Sequence, residues 1–200
     1  MAELTIYGVA PSRAARVLWL ANELGLDYEH VPTGMAESKT PEYLAINPNG
    51  KIPTIRDGDV TLWESMAINL YLAQKHGGPL APASAVEAGL AYQWSFWVIT
   101  EVEGHLLAAL MHTVLLPEDQ RRADKAEAAM AALAEPLAVL EQSLAGRDWL
   151  IADRFTVADL NVAAVLAWGK ILRFDFAAYP QVKTWLEHCL GRPAYQQARG

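Results

Sequence analysis

The chain is expected to fold as an α/β part carrying a small mixed sheet, followed by an all-α part. Three observations lead there. Through residue 76, short β-type runs alternate with stretches of helical period. Gly77-Gly78-Pro79 through Pro82 then breaks the chain, so residues 77–85 read as a linker. From 86 to 200 the apolar pattern is helical, with no convincing strand. A length of 200 residues suits two small domains or one large one, and 52% apolar with 20% charged residues is a globular composition.

In order, Leu4-Thr5-Ile6-Tyr7 is a β-type run ended by Gly8. Pro11-Ser12 opens a helix in which Val17, Leu20, Ala21 and Leu24 recur at i, i+3, i+4 and i+7, and Gly25 stops it. Asp27 to Val31 is a second strand, closed by Pro32. Residues 33–50, with Pro41, Pro48 and Gly50, read as irregular. Pro53–Arg56 and Val60–Trp63 flank Asp57-Gly58-Asp59, a strong hairpin signal. Glu64-Ser65 opens a helix running to about His76. The first part is therefore β-α-β, then β-β-α. In the second part a long helix runs from about Ala85 to Leu116 and ends at Pro117. Another runs from Glu118 to Leu144, bent at Pro136. Further helices begin at Thr156, Pro180 and Pro193, and proline at the first helical position suits the last two. Thr156 and Asp159 have the spacing of a capping box, with Phe155 and Leu160 at the staple positions. That feature reads as structural.

The net charge of −7 argues against a nucleic-acid partner, because phosphate neutralisation wants a basic face. No apolar run reaches the ~20 residues that span a bilayer, so no membrane partner is expected. The N-terminus MAELTIYG lacks the basic region of a secretory signal. The single cysteine, Cys189, excludes an internal disulfide framework and fits a reducing, cytoplasmic compartment. Lying between His188 and Leu190 with no second cysteine near, it reads as a buried, inert thiol.

Three segments of the first part point at one site. Ser12 follows the first strand at the start of a helix, with Arg13 and Arg16 after it. Its hydroxyl lies beside unpaired backbone N–H groups and partial positive charge, a place that favours a phosphate, a carboxylate or a thiolate. Taken alone, an N-cap serine without chemistry explains it better. In Asn47-Pro48-Asn49-Gly50-Lys51-Ile52-Pro53, Pro53 stands where a strand should begin, which suits a turn or a cis bond. A cis bond there leaves the Ile52 backbone groups facing outward for an extended peptide; an ordinary turn is the plainer reading. Glu64-Ser65 starts a helix and can be a cap only. As ligand groups, Ser65 suits a carboxylate and Glu64 an ammonium, which together match an amino-acid head group.

Jointly, TIYGVAPSRAARVLWLANELGLDYE, SKTPEYLAINPNGKIPTI, LWESMAINLYL and RFTVADL resemble the cytosolic glutathione transferases, in the family's order and spacing and over essentially the whole chain. The likeness is to serine-type, theta- or phi-like members. It implies a thioredoxin-like N-terminal domain at 1–76 and an all-helical C-terminal domain at 86–200. It implies glutathione as co-substrate, no metal, and a homodimer. The catalytic hydroxyl is expected at Ser12, with Tyr7 as competitor, since other classes use a tyrosine near the end of strand one. Lys39 matches the basic residue on the glycyl carboxylate, with Ser38 where theta and phi members often carry histidine. Lys51 lies in the same binding segment. Ile52 before Pro53 matches the residue whose backbone pairs with the cysteinyl unit, and Glu64 and Ser65 match the γ-glutamyl pair.

A free thiol with pKa ~8.5 is only roughly 3% thiolate at pH 7. Making the anion dominant takes about 2.7 kcal/mol. A charged hydrogen bond supplies ~1.5–3 kcal/mol and a helix N-terminus ~0.3–1 kcal/mol, so Ser12 at the helix start suffices without a base or metal. An electrophile is expected between the domains, against Trp94, Trp97, Glu101, His105, Ala108 and His112, a stripe of about 80° at regular helical spacing. Interhelical core or a subunit interface explains that stripe equally well, and a metal site of Glu101, His105 and His112 is disfavoured. Conjugation of glutathione to a small hydrophobic electrophile, a detoxification reaction, is thus the expected activity. The rivals are a glutathione-dependent isomerase or peroxidase, and a non-catalytic binder of the same fold.

Overall fold

In the computed structural model, which describes residues 3–199, the chain clusters into two compact units. One comprises residues up to Ala83 together with those from Gly191 onward; the other is Ser84–Leu190.

The first unit contains β1 (Leu4–Tyr7), α1 (Ala14–Glu23), β2 (Tyr28–Val31), a short 3-10 turn (Glu37–Lys39), α2 (Pro41–Leu44), β3 (Thr54–Asp57), β4 (Val60–Trp63) and α3 (Ser65–His76). The four strands run in the order β2-β1-β3-β4, with β1 and β2 parallel and the other pairs antiparallel. Segment 33–50, read as irregular, is partly helical: Pro41 starts α2, and the Thr40 hydroxyl accepts from the Tyr43 N–H. α1 begins two residues later than expected, because Pro11–Arg13 are taken up in a turn.

Period-two alternation sorts the sheet faces. Leu4, Ile6 and Ile55 are buried on one face, where Lys75 of α3 grips Asp57 through both carboxylate oxygens at 2.7 and 2.8 Å. Tyr7 and Thr54 lie on the opposite face, where Tyr43 of α2 meets them: its hydroxyl is 2.8 Å from the Thr54 Oγ1 and its ring is edge-on to Tyr7. Helix α10 (Pro193–Gln197), which the sequence leaves with the helical part, packs on α1. Tyr195 meets Trp19 edge-on with ring centroids 4.8 Å apart, and Arg192 clasps Glu23 through both oxygens.

The second unit is helical: α4 (Ala85–Trp97), α5 (Gly104–Leu110), α6 (Ala123–Ala131), α7 (Ala134–Ser143), α8 (Val157–Ile171) and α9 (Pro180–Leu190). A wide π-type turn at Val98–Glu103 joins α4 to α5, and a second at Met111–Leu115 extends α5, giving one continuous helix, Ala85–Leu115. By length and composition that helix is sufficient to cross a membrane, with mean hydropathy 1.3 over 18 residues. No uninterrupted apolar run announces it, because Glu87, Glu101, Glu103 and His105 are interspersed. The expected helix 118–144 is divided between α6 and α7, whose break at 132–133 lies one turn before Pro136, where the ring displaces the preceding carbonyl.

α8 is the centre of this unit: twelve of its fifteen residues are buried. The Thr156–Asp159 capping box is present, with Phe155 and Leu160 buried beside it. Asp159 also accepts from the Leu150 N–H at 2.9 Å and the Trp185 indole at 3.0 Å. Burial pushes its carboxyl up, and these donors pull it down. Replacing Asp159 with alanine leaves four buried donors without their acceptor: the Leu150 and Thr156 N–H groups, the Thr156 hydroxyl and the Trp185 indole. At ~1–3 kcal/mol for each such group, partly relieved by relaxation, Asp159→Ala is expected to lose about 3–4 kcal/mol in urea unfolding. A loss below about 1 kcal/mol would show that the cap does not hold α8.

Candidate functional site

The strand register assembles the site. Val31, Tyr7, Thr54 and Trp63 lie abreast across the four strands. At that end β1, β2 and β4 finish and β3 begins. The connections carrying Ser12, Lys39, Lys51-Ile52-Pro53 and Glu64-Ser65 therefore all leave from one end of one sheet.

The β1–α1 connection is closely held. The Gly8 N–H donates to the Val31 carbonyl at 3.1 Å, and His30 Nε2 lies 2.8 Å from the Gly8 carbonyl. Gly8 is needed there: with φ +143°, any β-carbon would stand 2.5 Å from that of Ala14. Ser12 precedes α1 by two residues rather than capping it. Its hydroxyl accepts from the Ala14 N–H at 3.0 Å and donates to the Val9 carbonyl at 2.6 Å. It is half-buried. The Tyr7 ring lies against Tyr43, on the sheet face opposite Leu4 and Ile6.

The Ile52–Pro53 bond is cis. Among the described residues, nothing hydrogen-bonds to the Ile52 backbone. The loop before it is framed from beneath by Asn47 and Tyr43, side chains to which the sequence reading gave no role of their own. Asn47, 1% exposed, donates to the Lys51 carbonyl at 2.8 Å and to Thr54 Oγ1 at 3.1 Å. The Tyr43 hydroxyl donates to the same Lys51 carbonyl at 2.7 Å. Burial pushes the Tyr43 phenol up, which keeps that proton in place. Ser38 Oγ and Lys39 Nζ both donate to the Gly50 carbonyl, at 3.0 and 2.5 Å. Gly50 has φ +56°, and a β-carbon there would meet the Ser38 carbonyl and Lys39 Nζ, each at 2.9 Å. Lys39 and Lys51 thus flank one glycine, both exposed.

Glu64 holds φ +75°, a conformation that costs a non-glycine residue about 1–3 kcal/mol. The reversal lets α3 start immediately after β4 and leaves the Glu64 side chain exposed. Ser65 is the first residue of α3 rather than its cap, and its hydroxyl accepts from Arg16 instead. Two helix N-termini, of α1 and α3, therefore lie at the same end of the sheet.

The other candidates belong to the second unit. Trp94 is buried against Trp97, their ring centroids 5.0 Å apart. Trp97, His105, Ala108 and His112 are half-buried and Glu101 is exposed. The wide turns at 98–103 and 111–115 add residues per turn, so the stripe expected at regular helical spacing does not continue straight through His105 to His112. Among the described residues no group of three metal-ligating side chains occurs.

The glutathione S-transferase N-terminal domain model matches residues 2–74, and the C-terminal domain model matches 105–193. Glutathione S-transferase 3 of Zea mays is 39% identical over 98% of this chain and 93% of its own length. Glutathione S-transferase F13 of Arabidopsis thaliana is 32% identical over 96% and 93%. Among solved structures, the theta class glutathione S-transferase of Xanthomonas axonopodis pv. citri, with glutathione bound, superposes with TM-score 0.89 at 32% identity, covering 99% of this chain and 97% of that one. Glutathione S-transferase-I bound with lactoylglutathione superposes with TM-score 0.88 at 29% identity, covering 98% of each chain. A four-strand sheet gathering a serine, a cis proline and a Glu-Ser pair at one end, with matches over both units, has one reading: the chain belongs to the glutathione S-transferase family.

Proposed function

We propose that the chain is a glutathione transferase in which the Ser12 hydroxyl and the N-terminus of α1 hold the thiolate while it attacks a small hydrophobic electrophile. The observation carrying this reading is the convergence of Ser12, Lys39, Ile52-Pro53 and Glu64-Ser65 at the Val31–Tyr7–Thr54–Trp63 end of the sheet. In it, Lys39 and Lys51 take the glycyl carboxylate, and the Ile52 backbone pairs with the cysteinyl unit. Ser65 with the α3 N-terminus takes the γ-glutamyl carboxylate, and Glu64 the ammonium. The thiolate forms the new bond to carbon as the leaving group departs with its electron pair.

Serine 12 first gives up a bond. Its proton serves the Val9 carbonyl, so turning to sulfur exchanges a neutral acceptor for an anion. The exchange gains ~1–1.5 kcal/mol and the helix start adds ~0.3–1 kcal/mol. Together they bring a thiol from ~8.5 to about 7, leaving it near half ionised at neutral pH rather than wholly so. Tyr7 is engaged with Tyr43 on the other face of the sheet, which favours Ser12 as the activating group. Trp97, Glu101 and His105, all accessible, are the groups proposed to meet the electrophile. A detoxifying role in a reducing, cytoplasmic compartment belongs to the same reading.

A homodimer is proposed on two exposed apolar faces. Tyr92, Phe96 and Ile99 recur at i, i+4 and i+7 along the helix, at 48%, 66% and 38% exposure, and Val60 and Trp63 are exposed on the edge strand β4.

Ser12→Ala is expected to lower kcat about tenfold to hundredfold while glutathione affinity stays within about threefold; Tyr7→Phe should change either by less than about threefold. The reverse pattern in steady-state kinetics would transfer the role to Tyr7. Sedimentation equilibrium should give twice the 21.9 kDa chain mass, and Phe96→Glu should shift it toward the monomer. A wild-type monomer at micromolar concentration would exclude the dimer.

A further inference from the structure

Arg16 is a charged residue with only 2% exposure, in the first turn of α1 and four residues after Ser12. Its Nη1 donates to Ser65 Oγ at 3.3 Å, and its carbonyl accepts from Asn69 Nδ2 at 3.3 Å. Ser65 and Asn69 are themselves 4% and 0% exposed and lie one turn apart on α3. A guanidinium carries five N–H donors and no acceptor. Ser65 Oγ is therefore the acceptor of this pair, and its own hydrogen has to point elsewhere.

We propose that Arg16 is a positioning residue that sets the polarity of the Ser65 hydroxyl, turning its O–H into an outward donor for the γ-glutamyl α-carboxylate. An ionised carboxylate only accepts hydrogen bonds, so a serine locked as donor rejects an ammonium in its place and holds the charged carboxylate more strongly than a neutral amide carbonyl. The cation behind the hydroxyl polarises the O–H in a place with little water, which strengthens the bond to an anion. Because Ser12 is tied by its hydroxyl to Ala14, the first residue of α1, and Arg16 lies in the first turn of that helix, the pair Arg16–Ser65 and the bond from Asn69 also hold the carboxylate end of the peptide in register with the serine that meets its sulfur. The inference rests on the glutathione reading above.

The test uses the full chain and two peptides: glutathione, and 4-aminobutyryl-cysteinyl-glycine, which keeps the thiol, the ammonium and the glycyl end but lacks the α-carboxylate. Wild type is expected to bind glutathione at least about tenfold more tightly than the analogue. Arg16→Gln should weaken glutathione about tenfold, raising KM with kcat within about threefold, and should change analogue binding by less than about twofold. The preference for the carboxylate then collapses. Arg16→Lys, which keeps a charge and donors, should recover much of it. Equal losses on both peptides, or an undiminished preference, would overturn the proposal, since damage to the fold weakens both alike. Arg16→Met serves if Arg16→Gln does not fold; failure of both to fold would make the residue purely structural and end the proposal. A wild type that binds neither peptide would instead remove the glutathione reading, and this inference with it.

Discussion

The constraint on which the molecule depends is the register of four short strands. Tyr7, Thr54 and Trp63 stand in line because Leu4 pairs with Asp57 and Asp57 with Val60. A slip of one residue would turn Leu4, Ile6 and Ile55 away from the core and carry Asp57 away from Lys75. It would also separate the start of α1 from the start of α3. The register therefore places two helix N-termini and the turn before β3 together, and the chemistry follows from that placement. Burial on one face of the sheet decides which residues meet at its end.

That end of the sheet presents charge at several points. Positive character comes from Lys39 and Lys51 beside Gly50, and from the two helix starts. Glu64 supplies an exposed carboxylate at the start of α3. Beneath these groups lies a buried polar layer: Asn47, Tyr43 and Thr54 under one loop, and Arg16, Ser65 and Asn69 between the helices. Each member has a hydrogen bond inside the unit. The layer fixes loops that would otherwise have to be ordered by the ligand, at the ligand's expense in affinity.

Much of this was legible in the sequence. The hairpin, the helix after Glu64, the break near residue 80 and the Thr156 cap all follow from local chemistry: Asp-Gly at a tight turn, a capping pair, proline at helix starts. Ser12, Pro53, Glu64 and Ser65 could be singled out because each stands at a boundary where backbone groups are unpaired. What stayed hidden depends on contacts distant in the chain. Nothing near Arg16 announces that it is buried, since its partner Ser65 is 49 residues away. The Val9 carbonyl that occupies the Ser12 proton depends on the turn's three-dimensional path. The return of α10 to α1 rests on Tyr195 meeting Trp19, and the wide turns at 98–103 and 111–115 leave no mark on a regular period. Local signals specify the elements; tertiary partners decide which polar groups are engaged.

The central claim concerns one proton equilibrium, and it can be read directly. Ultraviolet thiolate absorbance of glutathione bound to the wild-type chain, followed from about pH 5 to about pH 10, should give a midpoint near 7, against ~8.5 for a free thiol. The midpoint should return toward the free value when the hydroxyl of residue 12 is removed. A bound thiol that titrates like a free one, or a low midpoint that survives loss of that hydroxyl, would contradict the account.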